Sequence, residues 1–357
     1  MSLEPLNSLR LQIDEIDQQI LALLNQRARI AQEVGLIKHS TNAPVFRPER
    51  EAQILSRVAQ NNPGPLNSQD VQTIFREIIS ACRTLEKRLS VAFLGPIGTF
   101  SEQAIYQQFG HSVEITPCTS IDAVFQATES GTTSFGVAPI ENSSEGVVNR
   151  TLDLLLQTNL SIIGEVSLAI QHNLMSKSED MQNVTRICAH SQALAQCQSW
   201  LNQHYPHITR QAVSSNAQAC LFANQDPTIA AIASVTASET YQLRIVHHNI
   251  QDDTHNRTRF VILGQLHTHP SEQDQTSFIF SVPNKAGAVY HSLAPLAKYE
   301  VSMTRFESRP SRMGDWEYYF YVDVKGHIKD TPVANALNEL KKNVTFLKIL
   351  GSYPIQK

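Results

Sequence analysis

Apolar residues recur every three or four positions from Leu6 through Leu9, Ile13, Ile16, Ile20 and Leu23, and after one interruption at Arg27 they resume at Ile30, Val34 and Ile37. That alternation is the seam of a long helix. From Leu6 to Lys38 it would run about 50 Å at 1.5 Å per residue, longer than a compact helical module can cover by itself. The pattern therefore predicts an intertwined helical dimer. Prolines 44 and 48 frame a loop, residues 49–60 read as a second helix, Asn61-Asn62-Pro63-Gly64-Pro65 breaks it, and a third helix runs from Ser68 to about Arg88.

Beyond residue 88 the period changes. Residues 90–94 form a buried-strand run that opens into Gly95-Pro96-Ile97-Gly98-Thr99-Phe100-Ser101 and a helix through about Phe109. Residues 136–140 form a second such run, ending in Glu141-Asn142-Ser143-Ser144-Glu145-Gly146 before a helix that starts near Asn149. Strand and helix signals keep alternating: strands at 162–170, 186–189, 211–214, 229–232 and 260–263, with helices after the second and third of these. Turns between a strand end and a helix start aim backbone N–H groups at one point and suit an anionic small molecule. An α/β domain of two lobes around a cleft is expected. A polar linker at 269–274 leads to strand 276–282, helix 286–298, strands 301–309 and 317–324, helix 331–342 and strand 344–350, a βαββαβ order.

Composition narrows the classes. The chain has 357 residues, 41% hydrophobic and 17% charged, with a net charge of -4, so nothing points to a nucleic-acid or membrane-surface partner. An anionic ligand would need local cations. Cys82, Cys118, Cys188, Cys197 and Cys220 contain no CxxC pair, which suits reduced thiols in a cytosol. The start Met1-Ser2-Leu3-Glu4-Pro5 has no basic n-region or apolar h-region, and no run reaches membrane-spanning length, so a cytoplasmic location is expected. There is no HExxH, and His247-His248 and His267-Thr268-His269 lack companion ligands, so no metal is expected.

Arg27 and Lys38 lie eleven residues apart, almost three whole turns, and share a helix face. Arg10 lies about 25 Å up the axis on another face and could reach the same point only from a second chain. A cation in mid-seam is expensive unless it finds a partner. Leu9-Arg10, Gln26-Arg27-Ala28-Arg29, Val34-Gly35-Leu36-Ile37-Lys38 and Pro48-Glu49-Arg50-Glu51 resemble the all-helical chorismate mutase domain fused to bacterial prephenate dehydratases. The resemblance implies a pericyclic conversion of chorismate to prephenate without covalent or metal chemistry. Arg10 of the partner, Arg27, Lys38, Arg50 and Glu51 would line the pocket, with Lys38 the donor to the ether oxygen. Arg47 stands where many members have an acid, and no role passes to it. Glu86 falls where some members have a glutamine donor. A carboxylate cannot donate, so Glu86 must be protonated for that task; the residues alone equally allow a solvated charge.

Gly95-Pro96-Ile97-Gly98-Thr99-Phe100-Ser101, Pro139-Ile140-Glu141-Asn142-Ser143, His190-Ser191-Gln192-Ala193-Leu194 and Thr258-Arg259-Phe260 resemble prephenate dehydratase in that chain order. The implied fold is the two-lobed architecture of type 2 periplasmic binding proteins. The implied reaction is loss of carbon dioxide and hydroxide from prephenate to give phenylpyruvate, driven by aromatisation and needing no cofactor. Thr258 would serve the departing hydroxyl, donating late as the C–O bond breaks. Glu141, Asn142, Ser143, Thr99, Ser101 and Gln192 would orient substrate, and Arg259 would pair with a substrate carboxylate or form a structural ion pair. Ala189-His190-Ser191 departs from the usual Ser-His-Pro and leaves His190 without an assignment.

The βαββαβ stretch resembles an ACT domain. Asn284-Lys285-Ala286-Gly287-Ala288-Val289 and Glu307-Ser308-Arg309-Pro310 are similar to its two phenylalanine-binding segments. This implies that L-phenylalanine binds near Asn284, Gly287, Ala288, Val289, Glu307, Ser308, Arg309 and Pro310, between paired domains. The chain thus divides into a mutase domain at 1–88, a dehydratase domain at 89–267 and an ACT domain at 275–357. The expectation is a bifunctional, phenylalanine-regulated homodimer or higher homo-oligomer. The rivals are a dehydratase with a decayed mutase module, against which Arg27, Lys38, Arg50 and Glu51 stand, and a non-catalytic amino-acid sensor, against which Thr258 stands.

Overall fold

The structure, a computed structural model, describes residues 4–41, 43–310 and 318–355. The chain divides into two compact units, Met1–Leu89 with Phe109–Glu114, and Ser90–Gln108 with Ile115–Lys357.

The first unit holds three helices, α1 (Glu4–Thr41), α2 (Pro48–Gln60) and α3 (Ser68–Thr84). At 38 residues, α1 is about 57 Å long. Its seam is uncovered in the single chain: Leu9 is 56% exposed, Leu23 64% and Ile37 64%. Pro48 occupies the first turn of α2, where no N–H is needed. The Asn67 side chain caps α3 by accepting from Asp70 N at 2.8 Å. The third helix ends four residues before the predicted Arg88. There Leu85 N bonds to Cys82 O and Glu86 N to Arg83 O, a tightened last turn that sets Glu86 beyond the helix.

The second unit runs β1 (Ser90–Leu94), α4 (Phe100–Phe109), β2 (Glu114–Cys118), α5 (Ile121–Glu129), β3 (Phe135–Asn142), β4 (Gly146–Val147), α6 (Asn149–Gln157) and β5 (Ser161–Ala169). It continues with β6 (Asn173–Ser176), β7 (Arg186–His190), α7 (Ser191–Gln196), α8 (Gln198–His204), β8 (Thr209–Val213), α9 (Asn216–Gln225), β9 (Ile229–Ala233), α10 (Val235–Thr240), β10 (Arg244–His247) and β11 (Arg257–Gly264). Last come β12 (Asp274–Ser281), α11 (Ala288–Lys298), β13 (Met303–Pro310), β14 (Tyr318–Lys325), α12 (Thr331–Asn343) and β15 (Phe346–Pro354). The helix expected through Trp200 is broken at Cys197 into α7 and α8. The expected strand start at Glu317 lies outside the described residues.

Three sheets result. The first has the order β2-β1-β3-β11-β5 with β4 against β3, and the second the order β10-β6-β9-β7-β8. Each mixes parallel pairs, β1 with β3 or β7 with β8 and β9, with antiparallel ones. The chain leaves the first lobe after β5 and returns before β11, and the two crossings run side by side, Ile170 N to Asn256 O at 2.9 Å and Ile250 N to His172 O at 2.8 Å. They form the floor between the lobes.

The third sheet is antiparallel throughout, with the order β13-β14-β12-β15, and α11 and α12 cover one face. Its other face shares a core with the first lobe. Phe125, Ile140, Leu152, Leu155 and Val261 pack in one cluster with Ile279, Tyr321, Leu350 and Tyr353. Lys348 on β15 seals this junction, donating to Leu155 O and Leu156 O at 2.9 and 3.0 Å, where the last carbonyls of α6 lack helical partners. The C-terminal sheet is thus built onto the first-lobe sheet by a continuous apolar core.

Candidate active sites

Between the two lobes lies a cavity of about 480 Å³. Its first wall is the Gly95–Ser101 turn. Gly98 has φ +85°, and a Cβ there would stand 2.8 Å from the Tyr241 ring, so only glycine fits. Tyr241 Oη donates to Ile97 O at 2.7 Å and Ser234 Oγ to Gly98 O at 2.9 Å, tying the turn to the opposite lobe. Thr99 and Ser101 line the cavity at the start of α4, and Ser215 and Asn216 line it at the start of α9. Helix N-termini carry unpaired N–H groups and a positive dipole end.

Among the described residues no Arg, Lys, Asp or Glu lines this cavity. The expected local cations are therefore not on this wall, whose polar groups are backbone N–H groups, amides, hydroxyls and the His172 and His190 imidazoles. Phe100, Ile170 and Phe260 supply apolar wall.

The floor carries Thr258, 9% exposed, on β11 and paired in register with Asn142 on β3. Asn142 Nδ2 donates to Thr258 Oγ1 at 2.8 Å and to Asn256 Oδ1 at 3.0 Å. Asn142 Oδ1 accepts from Ser144 N at 3.0 Å and Glu145 N at 3.1 Å. With its oxygen held by the turn, the amide can only donate to Thr258. The Thr258 hydroxyl accepts that bond, and its own proton meets no acceptor among the described residues. It is free to donate into the cavity.

Other expected site residues are distributed as follows. Thr99, Ser101, Asn142, Gln192 and Thr258 come together at the cavity. Ser143 does not: its exposed hydroxyl accepts from Arg257 N at 3.0 Å and donates to Asn256 Oδ1 at 3.3 Å, bracing the strand pair. Glu141 and Arg259 are also placed elsewhere. Successive strand residues face opposite ways, so Arg259 turns its back on the cavity that Thr258 faces. It bonds Glu165 Oε1 at 2.9 Å, Glu141 Oε2 at 2.8 Å and Asp323 Oδ2 at 2.9 Å. Burial alone would lower the Arg259 pKa, but the bonds to Glu165 and the charges of Glu165 and Asp323 outweigh it and raise it well above its ordinary value. The ion-pair alternative for Arg259 is the one the structure contains.

The sequence reading missed His172 and Gln196. Gln196 lies four residues after Gln192, one turn on along α7, and helical spacing alone could have found it. His172 sits on the first crossing, where no pattern marks it. His172 Nε2 bonds Gln196 Oε1 at 2.8 Å, while His172 Nδ1 and Gln196 Nε2 are buried without a partner among the described residues. Burial pushes the His172 imidazole pKa down, against the Gln196 bond. Two unpaired buried polar atoms on a cavity wall are positions at which a ligand or water regains hydrogen bonds. His190 also lines the cavity, its Nδ1 accepting from Gln192 N at 3.4 Å.

A second constellation lies in the helical unit. Lys38 Nζ bonds Glu86 Oε2 at 2.8 Å and Val45 O at 3.2 Å. Gly35 permits this, because a Cβ there would come within 3.1 Å of Glu86 Cβ. Glu51 pairs with Arg83 at 2.5 Å, and burial raises the Glu51 carboxyl pKa against that partner. Arg83 Nη2 also donates to Phe109 O at 2.6 Å. Arg47 pairs with Glu49 at 2.5 Å, which gives it a structural task. Arg27 is half-buried, Arg10 and Arg50 are exposed, and among the described residues no salt bridge joins them to this group.

In the third sheet, Gly287 has φ +78° and precedes α11, with Asn284 exposed before it and Ala288 and Val289 half-buried after it. Glu307, Ser308, Arg309 and Pro310 lie on the edge strand β13. Arg309 turns inward, donating to Asn149 O at 2.6 Å and pairing with Asp153 at 3.2 Å.

Fold and sites together define a prephenate dehydratase cleft joined to an all-helical mutase module and a βαββαβ module. The description Chorismate mutase type II matches residues 9–87, and Prephenate dehydratase matches residues 91–268. A Pseudomonas aeruginosa bifunctional chorismate mutase/prephenate dehydratase is 44% identical over 98% of both chains. One from Neisseria gonorrhoeae is 46% identical over 96% of this chain and 95% of its own. The crystal structure of an Arthrobacter aurescens prephenate dehydratase in complex with L-Phe is 30% identical, with a TM-score of 0.69 over 75% of this chain and 90% of that one. The chain belongs to the bifunctional chorismate mutase/prephenate dehydratases and carries both activities. Among the described residues no helix is long and apolar enough to cross a membrane.

The Asn142 geometry generates a discriminating pair of variants. Asn142→Ala should lower dehydratase kcat by about a hundredfold, the scale of a reacting group misplaced by about 1 Å. Asn142→Asp should be at least as damaging, because a carboxylate would accept the Thr258 proton and withdraw it from substrate. Steady-state phenylpyruvate formation from prephenate checks both.

Proposed function

We propose that Thr258 is the donor to the ring hydroxyl of prephenate and that Asn142 aims it. The supporting observation is the direction of the Asn142–Thr258 bond, which leaves the threonine proton facing the cavity. In the reaction the bond from the ring to its carboxylate breaks, the released pair completes the aromatic ring, and the C–O bond to the hydroxyl breaks. Hydroxide takes up one proton and leaves as water. A threonine hydroxyl is a weak acid, so its proton moves late, with the C–O bond already stretched. The starts of α4 and α9 and the Gln192 and Gln196 amides hold the carboxylates, and His172 orients the Gln196 amide. A cavity without cations suits this chemistry, because a fixed positive charge against the departing carboxylate would stabilise it before reaction and oppose loss of CO2. The lobes are read as those of type 2 periplasmic binding proteins.

In the mutase module, Lys38 and Glu86 act as paired donors to the breaking ether oxygen, and Arg27, Arg50 and Glu51 complete the pocket with Arg10 of a second chain. The long uncovered seam of α1 supports an intertwined dimer. The C-terminal βαββαβ module is read as an ACT domain that binds L-phenylalanine and slows the dehydratase, a reading supported by the L-Phe complex of the Arthrobacter aurescens relative. Of its expected ligands, Arg309 is the exception, being already engaged with Asn149 O and Asp153.

A coupled assay from chorismate, following prephenate and phenylpyruvate separately with and without L-phenylalanine, tests the assignments together. Thr258→Ala should accumulate prephenate while wild type proceeds to phenylpyruvate and is slowed by L-phenylalanine. Wild type that makes no phenylpyruvate from added prephenate would refute the dehydratase assignment. The mutase carries a separate prediction. Glu86→Gln keeps a donor beside Lys38 and should retain mutase kcat, whereas Glu86→Ala removes the group and should lower mutase kcat by about a hundredfold; an alanine variant with unchanged mutase kcat would rule out Glu86 as a donor.

A further inference from the structure

The cluster around Arg259 lies on the far side of the strand pair from the cavity and has no part in the chemistry above. It contains Arg259 and Arg305 against Glu141, Glu165 and Asp323. Glu141 and Arg259 are a cross-strand pair in β3 and β11, and Asn142 and Thr258 are the next pair along the same ladder. The β3–β11 ladder bulges just beyond, between Arg259 and Phe260, while β11 pairs in regular register with β5 at these same residues. Asp323 and Arg305 belong to β14 and β13 of the C-terminal module. Asp323 Oδ2 accepts from Arg259 Nη2 at 2.9 Å, and its other oxygen accepts from Ser277 Oγ at 2.5 Å.

Strand β13 makes two such reaches. Arg305 Nε lies 3.2 Å from Glu141 Oε2, and Arg309 Nη1 donates to Asn149 O at 2.6 Å. Glu141 immediately precedes Asn142, and Asn149 opens the helix that ends the same turn. Two arginines of one edge strand therefore bracket both ends of the turn that carries Asn142. Arg305, Glu307 and Arg309 alternate with the exposed Phe306, Ser308 and Pro310, so the strand offers one face to the catalytic lobe and the other outward. Arg305 Nη2 is buried without an acceptor among the described residues, so the cluster is not at its fully satisfied arrangement.

We propose that Arg259, Glu141, Asp323 and Arg305 are positioning residues: through them the C-terminal module holds the Asn142–Thr258 pair in line for proton donation, and displacement of β13 by an effector misaligns it. The inference rests on the reading of Thr258 as the donor and, for its effector half, on the ACT reading. A shift of strand β13 moves Arg305 and Arg309, hence the turn and the Asn142 amide. Loss of the Asn142 bond lets the Thr258 hydroxyl rotate away from substrate. Misplacement of a reacting group by about 1 Å can cost on the order of a hundredfold in rate, so a small strand movement suffices.

The test is Arg305→Gln in the full-length protein, which removes the ion pair to Glu141 and touches neither the cavity nor the mutase residues. Dehydratase kcat should fall by about tenfold or more with KM for prephenate within about twofold, mutase kcat should be unchanged, and saturating L-phenylalanine should slow the variant by a smaller factor than wild type. An unchanged dehydratase kcat overturns the proposal. A fall shared by the mutase, together with a lower melting midpoint, would mean general damage. Asp323→Asn, which weakens the opposite side of the cluster and nearly preserves shape, then decides: a fall confined to dehydratase kcat supports the relay, and an unchanged or general loss overturns it. Wild type insensitive to L-phenylalanine would refute the ACT reading alone, because the kcat and KM comparison needs no effector.

Discussion

On the proposed mechanism, the dehydratase half depends on one hydrogen bond having one direction. Asn142 donates to Thr258, and the bond cannot run the other way because the Asn142 oxygen is held by Ser144 N and Glu145 N. A hydroxyl that accepts keeps its proton for something else. The surroundings preserve this arrangement: the β3–β11 ladder sets the pair side by side, Asn256 takes the second amide hydrogen, and Ser143 braces Arg257. The bond places the Thr258 hydroxyl at the crossing between lobes, in a cavity lined by residues of both.

The second constraint is the missing charge. Among the described residues the cavity is lined by no Arg or Lys, only by helix starts, amides, hydroxyls and imidazoles. On the proposed mechanism a dianionic substrate would be held there by many partial charges, with no carboxylate pinned by a full ion pair. The strong charges of the catalytic lobe lie instead on the back of the strand pair, where they join it to the C-terminal sheet. Full charges hold the domains together, and partial charges face the chemistry.

Much of this was legible in the sequence, and the failures have physical causes. Element types and the βαββαβ order follow from periodicity, since the period of the apolar residues changes from about 3.6 to 2 at residue 90. The two turns at 95–101 and 139–146 stand out because small polar residues between a strand and a helix have few other uses. Arg259 took the ion-pair alternative left open for it, and Glu141 lies beside it outside the cavity, because motif membership does not say which strand face a residue occupies; one step along a strand inverts it. Ser143 went the same way, spent on the backbone. His172 was invisible because a crossing between lobes has no period. Glu86 was placed on a helix that stops two residues earlier, an ordinary uncertainty of helix ends.

The most direct measurement is a crystal structure of the enzyme with an unreactive, ring-reduced prephenate analogue that keeps the ring hydroxyl and both carboxylates. The account predicts the hydroxyl oxygen about 2.8 Å from Thr258 Oγ1, the Asn142 amide still donating to Thr258, and no Arg or Lys nitrogen within reach of either carboxylate. A structure in which Arg259 has left Glu165 and Asp323 to bind a carboxylate in the cleft would contradict it.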